Sequence, residues 1–388
     1  MIYLNNAATS FPKPRQVISA VNECLSKPIL HAARTGFERE HEDSIYITRD
    51  RLSKLFNVPD PFQIIFTSGS TEALNLAIKG LDLKGGHVVT TTTEHNSVNR
   101  PLKTMELGNE IEITFVDCDE TSYVNPMNIE SAMKPNTKAV IINHCSNVTG
   151  TIQDIREITK IAHTNNAYII VDASQSAGNI PIDFDGWDLD FMAFTGHKSL
   201  FGIQGTGGLI IKKGIDLTPL KVGGTGILSE ILTQPPGLPI HYEAGTPNTP
   251  GIVALGAGVK FIQDVGIENI IEHKKKLFNR IIDGLNDFSQ NTTSGEPNDI
   301  MIYTQGTNHS YSNFCFNIGG FVPEEVGYIL KSSFDILVRT GIHCAPLLLK
   351  PLGVEPWGTV RASFSYFTTE EEIDIFVDAL KQIRMMIF

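Results

Sequence analysis

Tyr168-Ile169-Ile170-Val171-Asp172-Ala173-Ser174-Gln175 decides how this chain is read. An apolar run stops abruptly on a carboxylate. A short run without polar alternation predicts a strand buried on both faces, which sets Asp172 near a buried floor. An unpaired carboxylate there costs on the order of several kcal/mol of desolvation, so Asp172 needs a partner. Backbone N–H groups are one candidate, and the protonated nitrogen of a bound ring is another. Upstream, residues 154–164 predict a helix capped by Asp154. Downstream, Phe194-Thr195-Gly196-His197-Lys198-Ser199 follows a second apolar run, 191–194.

The same rhythm runs through the middle of the chain. Strands are predicted over 63–67, 87–92, 110–116, 138–143 and 207–211, and a helix over 70–79 on a Ser-Thr cap. Strand–helix alternation predicts an α/β fold with a mostly parallel sheet covered by helices. The Pro- and Gly-rich stretch 232–250 breaks the rhythm and reads as a long functional loop or a domain junction. Beyond it, 251–287 carries long helical periodicity. Residues 311–318 alternate like an antiparallel strand, and 323–331 and 369–385 read as helices. Single cores stop growing at roughly 250–300 residues, so a 388-residue chain predicts two domains. These are a large domain over 16–254, and a smaller α+β domain built from 1–15 and 255–388.

Composition excludes several classes. The net charge of −12 argues against nucleic acid and anionic membranes as partners. No apolar run approaches the ~20 residues a bilayer needs. The opening residues carry no signal-like pattern, so a cytoplasmic location is expected. Five cysteines without Cys-x-x-Cys spacing fit neither a disulfide framework nor a zinc ribbon.

Several positions carry chemistry. Lys198, downstream of a strand-end aspartate, reads as a Schiff-base lysine whose partner Asp172 holds a pyridinium nitrogen; the pair implies pyridoxal 5′-phosphate. Ser68-Gly69-Ser70-Thr71-Glu72 joins a strand to a helix and suits a phosphate, although alone it also reads as an ordinary cap. His95 follows the 87–92 strand, where ligands bind in open α/β sheets; alone it also reads as a structural histidine. Cys344 lies in Arg339-Thr340-Gly341-Ile342-His343-Cys344, and Arg361 follows. Two arginines and His343 are expected to favour a thiolate, and Arg361 to hold a substrate carboxylate. A core cysteine and a structural ion pair are the competing readings.

In order along the chain, these motifs resemble the class V aminotransferase-fold enzymes, and among them the second group of cysteine desulfurases and selenocysteine lyases. The resemblance spans nearly the whole chain, from Tyr3-Leu4-Asn5-Asn6-Ala7-Ala8-Thr9 through Ser146-Asn147-Val148-Thr149-Gly150-Thr151 and Ala244-Gly245-Thr246-Pro247-Asn248 to Arg361-Ala362-Ser363. It implies the fold type I of PLP-dependent transferases. Lys198 then holds the cofactor, Asp172 pairs with the ring nitrogen, Gln175 and Asn147 reach ring substituents, and His95 stacks on the ring. Ser70, Thr71, Thr195 and His197 hold the phosphate. Thr246 serves the other subunit's cofactor, which implies a homodimer with shared active sites. Arg361 and Arg339 bind substrate, and Cys344 accepts sulfur.

The implied reaction takes L-cysteine to L-alanine with a persulfide on Cys344, and then to an acceptor protein. L-selenocysteine is the alternative substrate. Asn5 stands where relatives often have Asp, and Ile342 where they often carry His. The compact Cys344 loop implies slow turnover without an activating acceptor. Lys198 and Asp172 alone do not separate this chemistry from transamination or β-lyase reactions; Cys344 does. A non-catalytic sulfur-assembly partner of the same fold is the alternative from another class.

Overall fold

The computed structural model describes residues 1–28, 43–289, 300–304 and 310–386. Its centre is a seven-stranded sheet. Edge to edge it runs Ile64–Thr67, Gly207–Ile211, Phe191–Thr195, Tyr168–Asp172, Thr137–Asn143, His87–Thr91 and Glu112–Val116. Gly207–Ile211 is antiparallel to both neighbours, and every other pairing is parallel. The predicted mostly parallel sheet is therefore present.

The apolar strands are explained by their two faces. Val140, Ile142, Val171, Met192 and Phe194 enter one core, while Ala139, Ile141, Ile170, Phe191 and Ala193 enter the other. Successive side chains point to opposite faces, so a strand covered on both sides must be apolar at each position.

A second sheet is antiparallel and four-stranded, in the order Arg339–Gly341, Thr359–Ser363, Asn313–Ile318, Ile300–Ile302. Phe314, Phe316 and Phe376 centre its own core with Leu277, Val326 and Leu380. Helices Ile267–Ser289, Pro323–Phe334 and Glu370–Arg384 supply much of that packing. The N-terminal Ile2–Tyr3 pairs with Ile336–Leu337, and Asn5 bridges to Ser363.

Two local expectations are corrected. The helical periodicity of 251–287 is two helices, Thr249–Val265 and Ile267–Ser289, broken at Gly266 with φ 87°. Glycine adopts that positive φ without a Cβ penalty, which suits it to the break between the two helices. The Ser70–Gly80 helix has Gly69 at its N-cap and no side-chain cap, instead of the expected Ser-Thr cap. Among the described residues, no single helix is long and apolar enough to cross a membrane.

Candidate active site

The parallel strands deliver the site to one edge. Their C-terminal ends lead into Ser68-Gly69-Ser70, Glu94-His95, Asn147, Asp172 and Thr195-Gly196-His197-Lys198. Ligands bind beyond the carboxyl ends of strands in such sheets because loops, helix N-termini and strand-end side chains converge there.

Asp172 is buried, and its Oδ1 accepts from the Ser174 backbone N–H at 2.9 Å and from the Ser174 hydroxyl. No hydrogen bond among the described residues engages Oδ2, so half of the carboxylate is left for a ligand N–H. Burial drives the pKa of Lys198 down to about 8; Asp172 opposes the shift, while Arg361 and Arg339 reinforce it and Cys344 opposes it. Groups distant in sequence thus act on one amine.

His95 caps helix Asn96–Leu107, its Nδ1 accepting from the Ser97 backbone N–H at 3.0 Å. Burial holds its pKa at about 4, against the pull of Asp172, so the ring is neutral. A neutral imidazole with Nδ1 as acceptor carries its proton on Nε2 and can lie against a flat ring.

The turn at 68–71 is close-packed. A side chain at Gly207 would stand 2.6 Å from Gly69 Cα, and the nearest atom to a Cβ on Gly69 is Thr195 Oγ1, at 3.8 Å. The Glu72 carboxylate accepts from the Ser68 N–H at 2.7 Å. Among the described residues, no hydrogen bond occupies the Ser70 or Thr71 hydroxyl. His197 is held by its backbone carbonyl, which receives Ser10 N at 3.0 Å and Lys13 Nζ at 2.9 Å, while its ring Nδ1 is buried without a partner. Free hydroxyls, an orphan imidazole nitrogen and a helix N-terminus together fit a phosphate.

The amides expected to reach a cofactor ring are engaged with backbone here. Asn147 Nδ2 donates to His343 O at 2.6 Å, and Gln175 Nε2 to Ala7 O at 3.1 Å. Each NH2 keeps a second hydrogen for a ligand. Thr246 lines a cavity of about 470 Å³ that also borders the 68–72 turn through Ser68 and Glu72, with Arg49 and Glu243 in its wall.

The loop after Gly341 brings in sulfur. His343 and Cys344 both adopt positive φ, 55° and 62°, a conformation that non-glycine residues take at some cost and that clusters at functional sites. Asn96 N donates to Cys344 O at 2.8 Å, which ties the loop to the His95 helix. Arg339 Nη2 donates to Cys344 Sγ at 3.3 Å. His343 corrects an expectation. Its Nε2 meets Thr359 at 3.0 Å, and burial, then Arg361, holds its pKa well below the usual value. The ring is neutral and brings no charge to the thiol. Ile342 is exposed at the loop's surface.

Sequence reasoning missed Glu94, the neighbour of His95. It is fully buried, and Oε1 accepts from the Thr91 hydroxyl at 2.7 Å and from Asn143 N at 3.0 Å, while Oε2 has no partner. Burial raises its pKa to about 8. The available signal was a charged residue closing a Thr-rich strand end.

The aminotransferase class-V family model matches residues 2–376, and this chain belongs to that family. A probable cysteine desulfurase of Methanothermobacter thermautotrophicus is 33% identical, over 99% of this chain and 95% of its own length. One from Pyrococcus abyssi is 32% identical over 99% and 94%. The apo cysteine desulfurase of Thermococcus onnurineus NA1 superposes with a TM-score of 0.89 at 30% identity, covering 100% of this chain and 95% of that one.

Proposed function

We propose that this chain is a pyridoxal-phosphate-dependent cysteine desulfurase that converts L-cysteine to L-alanine and receives the sulfur on Cys344. One observation carries the reading. An amine with a lowered pKa, a half-free carboxylate, two arginines and a thiol act on one another at a single strand-end site. Transamination has no use for that thiol.

Lys198, Asp172, His95, Gln175 and Asn147 would hold the cofactor ring, and Ser70, Thr71, Thr195 and His197 its phosphate. Pyridoxal phosphate held there would supply an aldehyde for the substrate amine and an electron sink for the bonds at Cα. Lys198 Nζ, with its pKa near 8, takes the α-proton near neutral pH and returns it. Arg361 and Arg339 orient the substrate carboxylate. Cys344 Sγ attacks the substrate sulfur, so an S–S bond forms as the Cβ–S bond breaks. The departing electron pair stays with the carbon skeleton, which takes up a proton and leaves as alanine. The Arg339 donor faces the sulfur that must carry negative charge in that attack.

Active sites shared in a homodimer, with Thr246 reaching the partner copy's cofactor phosphate, complete the reading. The persulfide then passes to an acceptor protein. L-Selenocysteine is the substrate of the alternative lyase reaction, which does not require Cys344.

The experiment measures L-alanine from L-cysteine and L-selenocysteine with wild type and Cys344→Ala. Borohydride reduction followed by peptide mapping serves as the control for cofactor on Lys198. The expected outcome is loss of alanine formation from cysteine in the variant, with the Lys198 label intact. Full cysteine turnover in Cys344→Ala refutes the desulfurase assignment.

A further inference from the structure

The turn that carries Lys198 is closed on its inner side by its own backbone. Gly202 N donates to Gly196 O at 2.8 Å, and Phe201 N to Lys198 O at 2.9 Å. The outer side is held from the far N-terminus. The His197 carbonyl belongs to the peptide bond that leads into Lys198. It accepts from Lys13 Nζ at 2.9 Å, from Ser10 N at 3.0 Å, and from the Thr9 and Ser10 hydroxyls at 3.2 Å each. A carbonyl oxygen has two lone pairs, so four converging donors exceed what satisfying it requires.

Lys13 is the costly member of that set. Its Nζ also donates to Ser10 Oγ at 2.8 Å. Among the described residues it has no carboxylate partner, and both of its acceptors are neutral oxygens. Burial lowers its pKa to about 8. Withdrawing an ammonium from water without a counter-charge is unfavourable, and the fold accepts that at the peptide bond beside Lys198.

The same N-terminal segment is anchored on the second sheet. Ala7 N donates to Ser363 Oγ at 2.8 Å, Asn6 Nδ2 to Ser363 O at 3.0 Å, and Ser363 N to Leu4 O at 2.8 Å. Ser363 ends the strand that carries Arg361. Residues 4–13 thus run from the Arg361 strand to the Lys198 turn. We propose that Lys13 is a positioning residue: its amine pins the peptide bond before Lys198 to this segment and fixes the reactive amine relative to Arg361. The reaction it serves rests on the desulfurase reading.

The test compares wild type, Lys13→Met and Lys13→Arg in three measurements. Hydrogen exchange by mass spectrometry, on the full chain without added cofactor, follows residues 196–202 against residues 168–172. Visible circular dichroism after reconstitution with pyridoxal phosphate reports the geometry of the chromophore at Lys198. Steady-state formation of alanine from L-cysteine separates kcat from KM. Lys13→Met is expected to speed exchange in 196–202 by about fivefold to tenfold, with 168–172 unchanged. It is also expected to alter the dichroism and lower kcat by about tenfold, with a smaller change in KM. Lys13→Arg keeps a charged donor and is expected to recover most of each. Equal exchange in 196–202 for wild type and Lys13→Met overturns the assignment. An equal rise in 168–172 also overturns it, because Lys13 would then support the fold as a whole. An arginine variant no better than Lys13→Met overturns it as well, since the donor would not be responsible. Absence of alanine from cysteine in wild type, alongside the expected exchange and dichroism differences, removes the desulfurase reading and supports the role of Lys13.

Discussion

Glu94 and Lys198 show how burial sets the protonation of single residues here. Taking a charge out of water disfavours the ionised form, so the carboxyl rises and the amine falls, both to about 8. For Lys198 this makes a base usable near neutral pH. For Glu94 the folded pKa lies above the ordinary 4.5. Its stabilising contribution is therefore complete below that value and is lost as pH climbs towards about 8. Glu94→Gln removes this titration. In denaturant unfolding between pH 5 and 8, wild type is expected to lose stability relative to Glu94→Gln, by up to roughly 1.4 kcal/mol per pH unit. Parallel pH profiles for the two proteins would refute a neutral Glu94.

At the scale of elements, the site depends on how strands end and how their edges are closed. Ile64–Thr67 is an edge strand, and edges expose unpaired backbone groups. Arg49 donates to Ile64 O, and Glu243 Oε1 accepts from Phe66 N at 2.6 Å. The two side chains pair with each other, and the Arg49 guanidinium lies 4.4 Å from the Phe66 ring centroid. This ion pair closes the edge and ties the loop before Thr246 to the strand that leads into the turn at 68–71. Arg49→Ala leaves Glu243 without its partner and is expected to cost roughly 3 kcal/mol in equilibrium unfolding. A loss within measurement error would show that the pair does not hold the edge. Neither partner stood out in the sequence, since the two are separated by 194 residues.

At the scale of the whole molecule, the N-terminus and the C-terminal sheet meet at the large sheet's carboxyl edge. Asn5 contacts Arg361, and Ser10 and Lys13 contact the carbonyl of His197. Gly245 and Thr246 are exposed, and in the segment before them Val222 is 71% exposed and Leu232 100%. Exposed large apolar side chains in the segment that leads to Thr246 suit burial against a second copy of the chain. Sedimentation equilibrium is expected to give twice the 42.7 kDa chain mass. Thr246→Ala is expected to weaken pyridoxal-phosphate binding in fluorescence titration while the dimer persists. A monomer at micromolar concentration with unchanged cofactor affinity would remove the shared-site arrangement.

The sequence by itself determined the alternating α/β layers, because a strand covered on both faces must be apolar throughout, and 139–142 and 168–171 are. It also singled out Lys198, Asp172 and Cys344 as candidates for the chemistry proposed above, because an amine, a strand-end carboxylate and a thiol suit that reaction. Only the tertiary structure decided the charge state and company of those groups. His343 is neutral because it is buried against Thr359, and Arg361 donates to Asn5 from the other end of the chain. Burial and long-range contact arise when distant segments pack, and local pattern carries no record of them.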